Sequence, residues 1–236
     1  MIQLKNISKH FGKLKALDGV TTICEKSECI ALIGPNGCGK TTLIKTILGM
    51  VVPDSGSITF NGDNILKHWQ YRDQIGYMPQ MGRYPDNMTI GQVLGMMKDI
   101  RGKSEGLDED LIKAFSVQNL LNKRMGTLSG GTIQKVSAAL AFLFNPSVLI
   151  LDEPTAGLDP VASELFKEKI LAEKDKGKLV LITSHILSDL DDLVTRIIYM
   201  QDGKLVFHKS IEELRQDTGE ERLVKSIAQV MISNYE

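Results

Sequence analysis

Gly34-Pro-Asn-Gly-Cys-Gly-Lys-Thr-Thr42 is the stretch that decides the fold. It matches the pattern G-x-x-x-x-G-K-[ST], with Gly34, Gly39, Lys40 and Thr41 at the defining positions. The apolar run 29–33 before it predicts a buried strand, and 40–48 after it predicts a helix stopped by Gly49. A strand, a glycine-rich turn and a helix start together make a phosphate cradle. Glycines let successive backbone N–H groups converge on one phosphate, and the helix N-terminus adds about half a positive charge. In that frame Lys40 reaches the β and γ phosphates of a nucleotide and the Thr41 hydroxyl meets a magnesium ion. Pro35, Asn36, Gly37, Cys38 and Thr42 complete the loop as candidate nucleotide contacts. Cys38, lying in the loop beside Lys40, is expected to react with thiol reagents and to be protected by nucleotide.

A chain of 236 residues can bury a substantial core. A formal net charge of −1 with 24% charged residues gives no electrostatic footprint for nucleic acid or for an anionic membrane surface. Met1-Ile-Gln-Leu-Lys5 alternates like a strand and not like a secretion signal. The apolar runs fall well short of the ~20 residues that a membrane-spanning helix needs. Cys24, Cys29 and Cys38 have neither metal-ligand spacing nor a disulfide pattern, so a reducing cytosol is the expected compartment.

Working outward, strands are expected over 2–7 and 16–24, with Asp18-Gly19 as a break and Phe11 in a loop. Further strands are expected over 57–60 and 74–78, the latter ended by Pro79-Gln80. From Tyr84 to Asn145 the texture turns helical, with Ile90, Val93, Leu94 and Met97 at helical spacing. The run 148–151 is a strand of the doubly buried type, and Asp159-Pro160 opens a helix that Gly177 closes. Another buried strand covers 179–183, and a hairpin turns at Asp202-Gly203. Strands alternating with helices predict an α/β fold.

Leu151-Asp-Glu-Pro154 follows the apolar strand directly. Two acids at a strand end suit two tasks, Asp152 holding magnesium and Glu153 orienting or deprotonating an attacking water. With these residues in place, the chain resembles the ATP-binding cassette (ABC) ATPases from its first strand to its last. The phosphate loop and the two acids are similar to the family's Walker motifs, and Leu128-Ser-Gly-Gly-Thr132 to its signature motif. Gln80 corresponds to the glutamine loop, Gly157-Leu-Asp159-Pro160 to the D-loop, His185 to the switch histidine and Phe11 to the adenine-stacking aromatic. Six short strings in one order cover nearly the whole chain.

The resemblance implies an α/β P-loop NTPase core with a mixed, largely parallel sheet, an antiparallel β subdomain and an inserted helical subdomain. Residues 1–83 and 146–208 would be the catalytic core, 84–145 the helical subdomain and 209–236 a helical tail. It implies ATP and Mg²⁺, with Phe11 and Ala16 on the base side and Thr41, Gln80 and Asp152 around the metal. Ser129, Gly130 and Gly131 would act in trans on a second subunit's ATP, and Asp159 would touch that subunit. Lys40, Gln80, Glu153 and His185 form the implied catalytic set. Thr132 departs from the family's usual glutamine, and Phe11 from its commoner tyrosine.

The function implied by the resemblance is that of an ATPase closing as a head-to-tail homodimer and driving a separate transmembrane permease. It would sit on the cytoplasmic face of the membrane through that partner. Thr127 to Lys135 and Gly76-Tyr-Met-Pro-Gln80 resemble export ATPases and those of the copper-processing systems of nitrous oxide reductase maturation. A soluble ABC ATPase of the iron–sulfur cluster assembly type is the alternative, and the chain length is compatible with it. The DNA-maintenance type is disfavoured, because the segment from Met81 to Leu128 leaves no room for a long coiled coil.

Overall fold

The computed structural model describes residues 1–184 and 192–233, in two compact units: Met1–Tyr71 with Leu181–Glu236, and Arg72–Val180. In the first unit β1 (Ile2–Phe11) pairs antiparallel with β2 (Leu14–Cys24) on one edge and with β4 (Ser55–Phe60) on the other. The two-residue β5 (Asp63–Asn64) adds to β4. Ile2, Leu4 and Ile58 are buried and Lys5 is exposed, the pattern of a sheet with one wet face. A second sheet sets β3 (Cys29–Ile33) parallel to β9 (Arg196–Gln201), and β9 antiparallel to β10 (Lys204–Ser210). This mixed sheet and the antiparallel sheet agree with the expected fold class. Helix α1 (Lys40–Ile47) follows β3, while α6 (Ile211–Thr218) and α7 (Leu223–Ser233) follow β10.

Two expectations about this unit need correction. Strand β1 runs on to Phe11, so the aromatic ends a strand and Gly12 makes the turn. Asp18-Gly19 does not break the chain. It is a bulge inside β2, where the register jumps from Ile7↔Val20 to Lys9↔Leu17. The bulge is anchored on both sides, because Gly19 N donates to Ser8 Oγ (3.0 Å) and Asp18 N to Gly203 O (2.8 Å).

In the second unit β6 (Ile75–Met78) runs parallel to β7 (Val148–Asp152), all five residues of which are buried. Helix α2 (Ile90–Arg101) opens with a capping box between Thr89 and Gln92 and stops at Gly102 in the left-handed conformation. After it come α3 (Asp110–Ala114), α4 (Gly130–Phe142) and α5 (Pro160–Asp175). Phe142 packs edge-on against Phe166 at 5.7 Å between ring centres, joining α4 to α5. Beside this apolar seam Lys169 Nζ contacts Asp108 (2.6 Å), Asp110 (2.7 Å) and Glu173 (2.9 Å). Glu173 is fully buried and also meets Lys176 and Lys178. Strand β8 (Leu179–Thr183) carries the chain from the second unit back to the first.

Candidate functional site

In the first unit the loop from Gly34 to Gly39 is braced from behind. Gly203 N, at the β9–β10 turn, donates to Cys38 O (3.1 Å), and the β2 bulge bonds the same turn. A Cβ on Gly39 would lie 2.4 Å from Ala16 O, and one on Gly34 2.1 Å from Met200 O. Both positions also have φ values of the left-handed side, 107° and 149°. Only glycine fits at either, which is the physical content of the motif here. Ala16 is therefore placed buried behind the loop, with its carbonyl against Gly39.

Lys40 opens α1 and folds back, Nζ donating to Gly34 O (2.7 Å) and Pro35 O (3.1 Å). The ammonium thus rests on acceptors that phosphate oxygens can replace. Cys38 is 3% exposed and its sulfur lies 3.8 Å from Lys40 Nζ, so the lysine expected beside the thiol is there, while burial limits the access of thiol reagents. Phe11, at the end of β1, is 50% exposed. Lys9 Nζ lies over its ring, 5.6 Å from the centre, and bonds Asp54 Oδ1 at 2.8 Å. Asp54 also accepts from His10 N (2.7 Å). Lys9 first, and His10 with it, hold the Asp54 carboxyl well down, at about 2.

The second unit holds the acids. Asp152 ends β7 and is buried, and Glu153 follows at φ 50°, a left-handed conformation uncommon for a glutamate. Gln80, two residues beyond β6, donates from Nε2 to Glu153 Oε2 at 2.9 Å. Parallel pairing of Met78 with Leu151 is what brings these strand ends side by side. The segment that Gln80 opens is packed on α4, with Tyr84 Oη 2.9 Å from Ser137 Oγ. A Cβ on Gly82 would lie 2.1 Å from that same Ser137 Oγ.

Ser129 caps α4, its Oγ accepting from Thr132 N (3.3 Å) and lying 2.9 Å from Thr132 Oγ1. The departure from glutamine at this position thus puts a hydroxyl on the signature serine. Gly130 and Gly131 form the first turn of the same helix. Asp159 caps α5 through Ala162 N (2.9 Å) and binds Lys135 Nζ on α4 at 2.6 Å. Lys135 above all, then the cap bond, lowers the Asp159 carboxyl below its ordinary range. His185 lies outside the described residues.

Sequence reasoning missed Asp54, Lys135 and Gly82. Each is ordinary in sequence, and only spatial neighbours mark it. Pro53-Asp-Ser-Gly56 carried the one usable signal, a turn with an acid directed at a strand end.

Thr41 in the first unit, and Gln80 and Asp152 in the second, each carry a hard oxygen of the kind that Mg²⁺ prefers. Among the described residues no three His, Cys, Asp or Glu side chains group as a self-sufficient metal site. Among the described residues, no helix is long and apolar enough to cross a membrane.

Residues 17–156 match the family model described as ABC transporter. The chain is 32% identical over 210 residues, 87% of its length and 69% of the relative's, to the Nod factor export ATP-binding protein I of Burkholderia lata. It is also 32% identical, over 90% of its length and 92% of the relative's, to the lantibiotic transport ATP-binding protein SrtF of Streptococcus pyogenes. A solved ATP-binding subunit of an ABC transporter superposes with a TM-score of 0.90 at 28% identity, covering 98% of this chain and 99% of that one. With a braced phosphate loop, a strand-end pair of acids and these likenesses, the chain belongs to the ABC transporter family, as an ATP-binding subunit that hydrolyses ATP.

Proposed function

We propose that this subunit works as a head-to-tail homodimer that drives an export-type transmembrane partner from the cytoplasmic face of the membrane. The export reading is supported by relatives named for Nod factor export and lantibiotic transport. Segment 84–145 serves as the subdomain that carries the signature and faces the partner, with 209–236 as a tail.

In this reading Lys40 leaves its two loop carbonyls for the β and γ phosphates, and the backbone N–H groups of residues 34–41 line the same oxyanions. Thr41, Asp152 and Gln80 hold Mg²⁺, which neutralises charge on the phosphates when bound. Glu153 orients a water and takes its proton as the oxygen attacks the γ-phosphorus. The bond from that phosphorus to the bridging oxygen breaks, and ADP and phosphate leave. His185 bonds the γ-phosphate. Ser129 and the N–H groups of Gly130 and Gly131 serve the ATP of the other subunit, so dimer closure completes the donor set and excludes water. Phe11 stacks on adenine, beside Ala16, and Asp159 meets the second subunit.

The observation that carries the catalytic part is the hydrogen bond from Gln80 to Glu153 at 2.9 Å. It gives the base a fixed orientation and ties it to the segment that leads into the helical region. The transporter part is tested by tagging the chain in its host, solubilising membranes gently and identifying what co-purifies. A stoichiometric multi-spanning protein is expected. A soluble partner alone, with the tagged chain in the cytosol, would favour the cluster-assembly type of ATPase.

A further inference from the structure

We propose that Asp54 is a positioning residue for the adenine platform, fixing the tip of β1 and holding Lys9 over the Phe11 ring. The inference rests on the proposed stacking of Phe11 on adenine. It is carried by the way the β1–β4 ladder ends. That ladder stops at Ser8↔Ser55, while β1 continues to Phe11 with only β2 beside it, through His10↔Lys15 and Phe11↔Leu14. A strand tip paired on one edge alone frays, because its outer N–H and C=O groups exchange with water.

Here the outer edge is held by one residue. Asp54 N donates to Ser8 O at 2.8 Å, as a ladder bond would. His10 N is the next outward N–H on that edge, and it donates to Asp54 Oδ2 at 2.7 Å. The carboxylate thus stands in for the missing strand's carbonyl and extends the ladder by one rung. His10 Nδ1 lies 3.2 Å from the same oxygen. The second carboxylate oxygen takes Lys9 Nζ at 2.8 Å, and that ammonium lies over the Phe11 ring. Lys9 is mostly covered, at 18% side-chain exposure, while Phe11 is half exposed. One ring face is thereby matched to a cation, and the ring is ordered before any base arrives. Without the carboxylate, the cost of ordering this tip falls on nucleotide binding.

The test compares binding of Mg·ATP and of Mg·tripolyphosphate, which has the phosphates and no base, to the full chain by titration calorimetry. Phe11→Ala serves as the reference. Asp54→Ala is expected to weaken ATP about fivefold, the size of re-ordering one aromatic side chain, and to leave tripolyphosphate unchanged. If Phe11→Ala weakens ATP and Asp54→Ala does not, the proposal is overturned and the platform reading stands. Should Phe11→Ala itself leave ATP affinity unchanged, the platform reading fails and the proposal falls with it. Equal weakening of both ligands by Asp54→Ala would mean a purely structural role and would also overturn it. Where Asp54→Ala does not fold, Lys9→Met removes the cation with little change in bulk. The same split between ATP and tripolyphosphate is then expected, and its absence counts against the proposal.

Discussion

Gln80 Nε2 donates to Glu153 Oε2 at 2.9 Å, which joins the segment after β6 to the residue just past the end of β7. Glu153 sits at φ 50°, so its side chain leaves the strand end in a direction that a right-handed or extended backbone would not give. Orientation by a neighbour matters most for a base that must meet one water. Gln80→Ala is expected to lower kcat between about tenfold and a hundredfold, with affinity for metal-free nucleotide unchanged. Steady-state ATPase assays together with nucleotide titration check it. An equal loss in affinity would assign Gln80 to binding instead.

Gly82 is the tight point of the same segment. A Cβ there would meet Ser137 Oγ at 2.1 Å and Tyr84 Cε2 at 2.8 Å. Gly82→Ala is expected to cost about 1–3 kcal/mol by forcing the segment off α4. Ser137→Ala removes the nearer atom and is expected to recover part of that loss. Denaturant unfolding of the two single variants and the double variant gives the coupling, expected at about 1 kcal/mol.

Acid should loosen the second unit through Glu173. Burial alone would raise its carboxyl, but bonds from Lys176, Lys178 and Lys169 outweigh burial and hold it at about 2, below the ordinary 4.5. A carboxyl depressed in the folded state stabilises fully above its unfolded value, and that stabilisation is lost as pH falls from 4.5 toward about 2. Glu173→Gln is expected to cost about 3 kcal/mol at neutral pH, because Lys178 and Lys169 lose a buried partner. Its stability should also vary less across that acid window than the parent's. Thermal unfolding from pH 7 to 3 checks both parts, and parallel curves for the two proteins would contradict the assignment.

Much of the fold was legible because its signals are local. Gly34, Gly39 and Lys40 repeat a pattern set by one phosphate and one helix start, and the apolar runs 29–33 and 148–151 read as doubly buried strands. Failures came where partners far along the chain decide. Asp18-Gly19 has the composition of a turn, yet Ser8 and Gly203 hold it as a bulge. Cys38 lies in an exposed-looking motif, yet it is only 3% exposed. Phe11 reads as a loop residue until Leu14 on β2 and the Asp54 clip turn its segment into a strand tip. Nothing in Asp152-Glu153-Pro154 announces the left-handed backbone at Glu153.

The most direct test of the central claim, that Glu153 activates the water in ATP hydrolysis, is single-turnover hydrolysis by Glu153→Gln beside the parent protein. The substitution keeps the shape of the side chain and a hydrogen-bonding oxygen while removing the base. Hydrolysis is expected to fall by about 10²-fold or more with ATP still bound, and an ATP-held dimer is expected on size-exclusion chromatography. Turnover at the parent rate would contradict the account.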